Sequence, residues 1–444
     1  MSKARLMKTE NSSTLCECGK VHKSALEYLA VGNGAICELP NIIDIYGAKR
    51  AFLISDINTN SAAGDKVRAA LKEKGITFSE YVFQSKELEP DEWAVGSATI
   101  KLDKSADILV GIGSGTVNDI CKIVSKTAKI PYVIVATAPS MDGYASGTSS
   151  MIVDGLKVSV NSKCPEAIIG DTDVLCKAPV KMLVSGLGDM LAKYISIAEW
   201  RISNVINGEY YCERIAQDVR DALLACMENA DGLLSGDVDG VEAVFLGLVK
   251  SGCAMDHAGV SRPASGVEHY ISHVLDMRGQ EFGTAVETHG IQCAVATLSS
   301  AKLYYKLREY TPNIEEALKY VERFEFDAWA KELEALLGKS AAPMIAAEAK
   351  DGKYDKVKHR ERIKKIINNW NVIISIINDE IPAPETLSQL FTTLGLPQNI
   401  SELESNTVLL PNIFKATKDI RDKYVLSRLL WDLGIIEEYA AMIK

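Results

Sequence analysis

Val110-Gly-Ile-Gly-Ser-Gly-Thr-Val-Asn-Asp119 is the stretch that decides the fold, because an apolar run passes there through three closely spaced glycines into a helical pattern. Gly111, Gly113 and Gly115 allow a tight turn and a close approach of the backbone to a ligand. The amides that open the following helix point at an anion, so the stretch predicts a pyrophosphate site. Its spacing, G-x-G-x-G-T, departs from the dinucleotide fingerprint G-x-G-x-x-G. Glycines that serve only close packing of strand and helix are the alternative.

Short β-branched runs alternate with helical patterns on both sides of that stretch. The runs predict strands at residues 50–56, 76–83, 107–111 and 132–137. The patterns between them predict helices near residues 62–74, from Asp91 and from Thr116. Such alternation is typical of a parallel sheet with helices on both faces. A hairpin is expected at residues 151–159, where Asp154-Gly155 supplies the tight turn.

After Pro179 the strand signal fades and apolar residues recur at helical spacing nearly to the C-terminus. This spacing is clearest at residues 210–234, 241–251, 314–324, 357–370 and 421–442. Residues 339–355 are expected to form a loop. The sequence therefore predicts an α/β, Rossmann-like N-terminal domain of residues 1–178, followed by an all-α C-terminal domain of residues 179–444.

Composition excludes several classes of partner. The chain has 444 residues, 47% of them hydrophobic, which can supply the cores of two or three domains of ~100 to 200 residues each. A formal net charge of -10 argues against nucleic acid, whose binders carry a basic patch. Residues 1–10 lack the apolar core of a secretory signal, and no apolar run approaches the ~20 residues that span a bilayer. We therefore expect a cytoplasmic protein that binds neither nucleic acid nor membrane.

Most of the ten cysteines stand singly in apolar stretches, as Cys121, Cys226 and Cys293 do, and are expected to be reduced core residues. The segment Cys16-Glu-Cys-Gly-Lys-Val-His22 differs, because two thiols and an imidazole are close in sequence. Its C-x-C spacing with one histidine lacks the second pair that a zinc ribbon needs. A polar N-terminal turn is therefore favoured over a structural zinc site.

A group of histidines indicates a catalytic metal site. His269, His273 and His289 fall within residues 265–290, and His269 and His273 share one helix face at i and i+4. Spacing alone does not choose between these two as ligand. Asp189 lies in an apolar run and is expected to be buried, so it must be paired or bind a metal. One carboxylate and two imidazoles would leave an open coordination position. An ion pair of Asp189 with Lys193 is the alternative.

Two further segments fit a nucleotide and its substrate. Asp56 ends the first predicted strand, where a carboxylate can accept hydrogen bonds from a ribose and repel a 2′-phosphate, which favours NAD over NADP. Capping of the next turn is the alternative role of Asp56. The loop of residues 137–146 contains several hydroxyls and Asp142, and it follows a parallel strand at the end where ligands bind in open α/β sheets.

Seven segments, in order through residues 31–290, carry a resemblance, and residues 261–273 are the most specific. They are Val31-Gly-Asn-Gly-Ala35, Asp56-Ile-Asn-Thr59, residues 111–122, Thr137-Ala-Pro-Ser-Met-Asp-Gly143, Gly188-Asp-Met-Leu-Ala-Lys193, Ser261-Arg-Pro-Ala-Ser-Gly-Val-Glu-His-Tyr-Ile-Ser-His273 and Thr288-His-Gly290. With these segments the sequence resembles the sn-glycerol-1-phosphate dehydrogenase family, within the larger group of iron-containing alcohol dehydrogenases, glycerol dehydrogenases and dehydroquinate synthases. The chain after Gly290 adds only a helical pattern.

The resemblance implies a dehydroquinate synthase-like fold and assigns site residues. Asp189, His269 and His289 would hold the metal, usually zinc, with nickel or iron as alternatives. His273 and Asp142 would contact substrate, and Asp189 and His273 would be the catalytic pair. Many relatives carry Thr or Ser then Ala where this chain has Ala138-Pro139, so a backbone contact is expected there in place of a hydroxyl. NAD, or NADP, would bind at Asp56, Gly115, Thr116, Val117, Asn118, Asp119, Thr137, Ala138, Pro139, Ser140 and Ser146.

The activity that the resemblance implies is hydride transfer between dihydroxyacetone phosphate and sn-glycerol 1-phosphate, with the metal as Lewis acid and His273 as a proton relay. Arg262, Ser265 and Lys193 are candidates for the substrate phosphate. A glycerol dehydrogenase or other polyol dehydrogenase, a dehydroquinate synthase-like lyase and a non-enzymatic NAD- or metal-binding protein are the alternatives. The family also implies a homodimer.

Overall fold

The computed structural model describes residues 4–9, 14–404 and 406–444, with the side chain of residue 349 excepted. Part of the N-terminal segment in which no secretory signal was expected, residues 1–3 and 10, thus lies outside the described residues. The described chain forms two compact units, Met1–Met190 with Gln217–Val260, and Leu191–Ala216 with Ser261–Lys444. No helix in the described part of the chain has the length and apolar character needed to cross a membrane.

The first unit is built on a seven-stranded sheet of order β1-β2-β9-β6-β5-β3-β4, in which only β1 is antiparallel to its neighbour. A separate hairpin pairs β7 with β8. The central strands are buried along their whole length, as expected of a parallel sheet covered on both faces. The strands are β1 (Arg5–Lys8), β2 (Tyr28–Gly32), β3 (Arg50–Asp56), β4 (Thr77–Phe83), β5 (Ile108–Gly113), β6 (Tyr132–Ala136), β7 (Thr148–Val153), β8 (Leu156–Asn161) and β9 (Ala167–Asp171).

Helices follow most of the strands and make up the rest of the chain. Up to residue 260 they are α1 (Leu39–Ile45), α2 (Ile57–Thr59), α3 (Asp65–Glu73), α4 (Glu92–Lys101), α5 (Gly115–Ala128), α6 (Thr172–Leu175), α7 (Val180–Leu191), α8 (Lys193–Asn207), α9 (Glu213–Glu228) and α10 (Val238–Ala258). Beyond it they are α11 (Val267–Phe282), α12 (His289–Leu307), α13 (Ile314–Glu322), α14 (Phe326–Leu337), α15 (Ala341–Asp351), α16 (Lys356–Asn368), α17 (Trp370–Glu380), α18 (Pro384–Leu394), α19 (Leu410–Ala416), α20 (Leu426–Asp432) and α21 (Ile436–Ala440).

Short helical turns complete the description. A π-helical turn spans Asn60–Gly64, and 3-10 turns span Ala35–Glu38, Gly143–Ala145, Ala230–Ser235, Gly338–Ser340, Ile400–Glu402, Thr407–Leu409 and Thr417–Asp419. In the second unit α11 packs against α8, α12, α14 and α19, so it lies in the middle of the helical layer.

The predicted alternation of strands and helices is confirmed. The hairpin is also confirmed, and Asp154 and Gly155 both have positive φ, 51° and 74°, as a type I′ turn requires. The loop expected at residues 339–355 is wrong, because most of this segment forms the turn Gly338–Ser340 and α15. Its alanines favour a helix, and Pro343 lies in the first helical turn, where it loses no hydrogen bond. The helical pattern at 421–442 is broken into α20 and α21 around Gly434, whose φ is 78°.

The packing units do not follow the predicted border between residues 178 and 179. That border separates strands from helices, whereas residues 217–260 group with the sheet. The reason is the contact of α10 with β9: a Cβ atom at Gly170 would lie 2.1 Å from the ring of Phe245. A helix that packs this closely on a strand belongs to the same core.

Candidate active site

The glycine-rich stretch of residues 111–115 joins β5 to α5, and its glycines differ in the space around them. A Cβ atom at Gly113 would lie 2.4 Å from Val117, and one at Gly111 would lie 2.9 Å from the Tyr132 hydroxyl, so both glycines serve close packing. Gly115 is different, since its Cβ would meet Met141 only at 3.4 Å. It opens α5 at the carboxyl end of β5, where the helix amides can receive an anion. The packing alternative therefore accounts for Gly111 and Gly113, and contact of Gly115 with a ligand stays a prediction.

The loop after β6 lies beside this turn. Thr137 donates its backbone N–H to the Gly113 carbonyl (3.1 Å), and the hydroxyls of Ser114 and Ser140 are 2.6 Å apart. The Tyr144 hydroxyl donates to the carbonyl of Ala138 (2.7 Å). The structure thus brings the predicted nucleotide residues of the loop together with those of the turn.

Several predicted nucleotide residues are held by internal hydrogen bonds. The Asn118 amide donates to the Gly143 carbonyl (3.2 Å), and the buried Lys122 ammonium donates to the Ser146 hydroxyl (3.0 Å). Asp119 forms an ion pair with Lys122 (3.7 Å), yet burial raises the pKa of Asp119 to about 6. These bonds fix the shape of the loop, and contact of these side chains with a nucleotide stays a prediction.

Asp56 caps the turn that follows β3, so the capping alternative is confirmed. Its Oδ1 accepts the backbone N–H groups of Asn58 (2.8 Å) and Thr59 (2.9 Å). The Thr59 hydroxyl accepts the N–H of Asp56 (3.0 Å), which completes a capping box. The contact of Asp56 with a ribose stays a prediction.

Asp189 and Asp142 are linked within the first unit. The Asp189 side chain is completely buried in α7, and its Oδ2 accepts the backbone N–H of Asp142 (2.8 Å). Asp142 Oδ2 in turn accepts the Ser251 hydroxyl (2.8 Å). The loop backbone lies directly on α7, because a Cβ at Gly186 would lie 1.8 Å from the Pro139 carbonyl oxygen. A buried carboxylate is thus held next to the predicted substrate residue.

The three clustered histidines meet in the second unit. His269 and His273 lie one turn apart on α11, and His289 opens α12. The rings of His269 and His289 have centroids 5.0 Å apart, and the ring of His273 lies 6.1 Å from that of His289. A nitrogen of His269, a nitrogen of His289 and Sγ of Cys293 lie within 4.8 Å of one another, a distance that one metal ion can span.

Hydrogen bonds set the tautomers of the two imidazoles. His269 Nδ1 is 2.8 Å from Glu268 Oε1, and since a carboxylate accepts, Nδ1 carries the proton. Ser272 donates its hydroxyl to Gln292, so its oxygen accepts from His289 Nδ1 at 3.0 Å. Both imidazoles therefore keep an unprotonated Nε2, the state in which a histidine binds a metal.

Comparison with known proteins places the chain in a family. A family model described as iron-containing alcohol dehydrogenase matches residues 30–179. The glycerol-1-phosphate dehydrogenase (NAD(P)+) of Bacillus licheniformis is 34% identical over 296 residues, which cover 66% of this chain and 74% of that protein. This chain belongs to the glycerol-1-phosphate dehydrogenase family.

Two further comparisons agree with this family. The glycerol-1-phosphate dehydrogenase (NAD(P)+) of Halalkalibacterium halodurans is 29% identical over 394 residues, 88% of each chain. The iron-containing alcohol dehydrogenase structure from Thermococcus thioreducens superposes with a TM-score of 0.61 at 13% identity and covers 94% of this chain and 99% of its own. At this identity the structural likeness concerns the fold alone, and it confirms the predicted α/β plus all-α architecture.

Sequence reasoning missed the residues that support the histidines. Cys293, expected to be a core thiol, is buried, and its Sγ is 3.7 Å from His289 Nε2. Burial opposes ionisation of this thiol, but the neighbouring imidazoles of His269 and His289 outweigh burial and lower its pKa. The sequence did contain a pattern that could have identified Cys293, because it follows His289 by four residues on one helix. No comparable spacing pattern identified Glu268 or Ser272.

One phosphate candidate already has a partner. The Arg262 guanidinium is 2% exposed, and its Nε donates to Glu209 at 2.7 Å, with a second bond of 2.6 Å to the same carboxylate. A third bond reaches the Tyr424 carbonyl (3.1 Å). Arg262 therefore serves an internal ion pair with Glu209, and its contact with a phosphate stays a prediction. Lys193 is fully buried and donates to the Ala264 carbonyl (3.1 Å).

Proposed function

We propose that this protein is an NAD(P)-linked, metal-dependent dehydrogenase that interconverts dihydroxyacetone phosphate and sn-glycerol 1-phosphate. Membership of the glycerol-1-phosphate dehydrogenase family supports the substrate and the cofactor, since its relatives carry both in their names. The observation that carries the chemistry is the pair of imidazoles, His269 and His289, in which a hydrogen bond holds the proton on Nδ1 and leaves Nε2 unprotonated.

We infer from the family resemblance that Asp189 is the third metal ligand, with His269 and His289. Its complete burial in an apolar helix supports this, because a buried carboxylate needs a counter-charge. The donor set suits zinc, nickel or ferrous iron, and the neighbouring thiol of Cys293 favours zinc among them. When bound, the ion supplies Lewis-acid stabilisation of negative charge on the substrate oxygen, and the reduced nicotinamide supplies the hydride.

The chain's own residues would bind and orient both reactants. In this proposal Asp142 contacts the substrate, and His273 holds the proton that the substrate oxygen takes up. The amides that open α5 and the backbone of the loop 137–146 would receive the pyrophosphate, with Thr116 and Ser140 as hydroxyl donors. Asp56 would face the ribose and favour NAD over NADP, because its charge repels a 2′-phosphate.

The deciding experiment compares substrates on one preparation. Chelated protein is reloaded with zinc, nickel or iron, and oxidation of NADH and NADPH is followed with dihydroxyacetone phosphate and with dihydroxyacetone. We expect turnover with the phosphorylated substrate and formation of the sn-glycerol 1-phosphate isomer. Turnover with dihydroxyacetone alone would make the protein a glycerol dehydrogenase. Phosphate release from the dehydroquinate synthase substrate would indicate a lyase. Binding of metal and NAD without turnover on any polyol phosphate would indicate a binding protein.

The proposed assembly rests on family analogy. We propose a cytoplasmic homodimer, and light scattering on the purified full-length chain measures the number of subunits directly. A monomeric mass at working concentration would overturn the dimer.

A further inference from the structure

A second group of metal-binding side chains lies far from the candidate active site in sequence. A donor atom from each of Cys16, Cys18 and His22 lies within 4.8 Å of the other two, and Cys18 Sγ is 3.2 Å from His22 Nε2. We propose that these three side chains hold a structural zinc ion. Two thiolates and one imidazole supply three of the four ligands of a tetrahedral zinc set, with bonds of about 2.0 to 2.3 Å.

The local backbone explains how the first two thiols come together. Cys16 donates its N–H to the Lys20 carbonyl (2.9 Å), and Gly19 donates its N–H to the Cys16 carbonyl (2.8 Å). Gly19 has a φ of 82°, which a residue with a side chain adopts at a cost. The polar turn that the sequence favours therefore exists, and the same turn gathers ligands. The predicted polar turn and the proposed zinc site are therefore formed by the same residues.

The imidazole of His22 is oriented for coordination. It is 6% exposed, and its Nδ1 is 3.1 Å from the carbonyl oxygen of His257. A carbonyl oxygen only accepts, so Nδ1 carries the proton and Nε2 presents its lone pair to the thiols. A histidine whose second nitrogen donates to a backbone carbonyl is the usual arrangement of a zinc ligand.

The proposed zinc site would attach the segment between β1 and β2 to α10. The segment between β1 and β2 has no described strand or helix, and it runs along the end of α10. Ala25 donates its N–H to Asp256 (2.7 Å), and Ser24 contacts Cys253, in addition to the bond of His22 to His257. Zinc would fix this irregular segment to α10, because metal binding supplies folding free energy where secondary structure is scarce.

Alkylation of the wild-type, full-length protein tests the site without a mutation. Native protein as purified is treated with N-ethylmaleimide, and labelled positions are read by mass spectrometry before and after chelation. We expect Cys16 and Cys18 to be protected until the metal is removed, while the exposed Cys37 labels in both samples. Labelling of Cys16 and Cys18 at the rate of Cys37 before chelation would overturn the proposal.

Metal content of matched variants separates this site from the active site. Wild type should bind about two divalent ions per chain, and Cys16→Ser/Cys18→Ser about one, with the active-site ion retained. His289→Ala should lose the other ion, and Cys37→Ser should lose none. His22→Cys, which keeps a zinc-binding side chain at this position, should retain both ions and shows that a substitution here does not by itself prevent folding. Equal zinc, nickel and iron content in Cys16→Ser/Cys18→Ser and wild type would refute the site. The result does not depend on dehydrogenase activity.

Discussion

Glu268 and Ser272 control the candidate metal site through the nitrogens that face away from it. Each holds the Nδ1 proton of one imidazole, and so each determines that Nε2 is the nitrogen available to a metal. Glu268 also accepts the Gly266 N–H (2.7 Å), which fixes the carboxylate itself. A charged acceptor makes the imidazole a stronger electron donor than a neutral one would.

Glu268→Gln is therefore expected to weaken metal binding without removing a ligand. The change keeps the side-chain shape and removes the charge behind His269, and such partners typically contribute a factor of about 10 to 100 in affinity. Competition with a chelator of known affinity measures the dissociation constant. Glu281→Gln, further along the same helix, is the control and should bind metal as wild type does. Unchanged affinity in Glu268→Gln would mean that its carboxylate is only structural.

The sequence could indicate the ligands but not their supports. His269, His273 and His289 are visible as a group because helical spacing and chain proximity bring them together. The same helical spacing places Cys293 beside His289, but a single thiol in an apolar helix is usually a core residue. Glu268 and Ser272 act through hydrogen-bond geometry between neighbouring turns and helices, which no spacing reports.

The contact of α7 with the loop after β6 places Asp189 beside Asp142. It depends on Gly186, where a Cβ atom would meet a backbone oxygen that cannot rotate away. Strands and helices were predicted well where turn residues mark their ends, as Asp154-Gly155 does between β7 and β8. β2 and β9 were missed because five-residue apolar runs do not distinguish a strand from a buried helix segment.

Gly186→Ala is expected to destabilise the first unit by about 1 to 3 kcal/mol, the usual cost of overpacking. It should also lower turnover, since the loop must move away from α7. Urea denaturation measures the first effect and steady-state kinetics the second. Gly96→Ala on α4 is the matched control: it meets nothing within 4 Å, and alanine favours a helix by up to about 1 kcal/mol. Equal stability of the two variants would contradict the close contact.

The whole chain folds as two units whose borders the linear sequence does not show. Residues 217–260 return to the sheet after α8 has entered the helical unit. The contact of Phe245 with Gly170 that brings them back joins positions 75 residues apart. The spacing of apolar residues identifies α10 as a helix but does not show what it packs against. The predicted domain border therefore separated strands from helices and did not follow the packing.

Acid should destabilise the second unit in two stages, owing to a polar cluster formed around Asp432 at the end of α20. Asp432 binds Arg362 through two hydrogen bonds of 3.0 Å and accepts the Tyr424 hydroxyl (2.8 Å). Burial raises the Asp432 pKa, but Arg362 and Arg428 outweigh it and lower that pKa below its usual value. Burial also lowers the pKa of His359, whose Nε2 lies 2.8 Å from the Asp432 carbonyl oxygen.

Both pKa values are lower in the folded state, so each group stabilises the fold above its unfolded pKa and loses this contribution as pH falls. The urea midpoint of chelated apoprotein should therefore decline from about pH 6.5 because of His359, and again below about pH 4 because of Asp432. His359→Gln should abolish the first decline and keep the second. Asp432→Asn should be less stable at neutral pH, by up to about 3 kcal/mol, because the partly buried Arg362 then lacks its counter-charge. Chelation removes competition between protons and metal at the active site. If wild type and His359→Gln follow the same curve between pH 7 and 5, His359 does not cause the first stage.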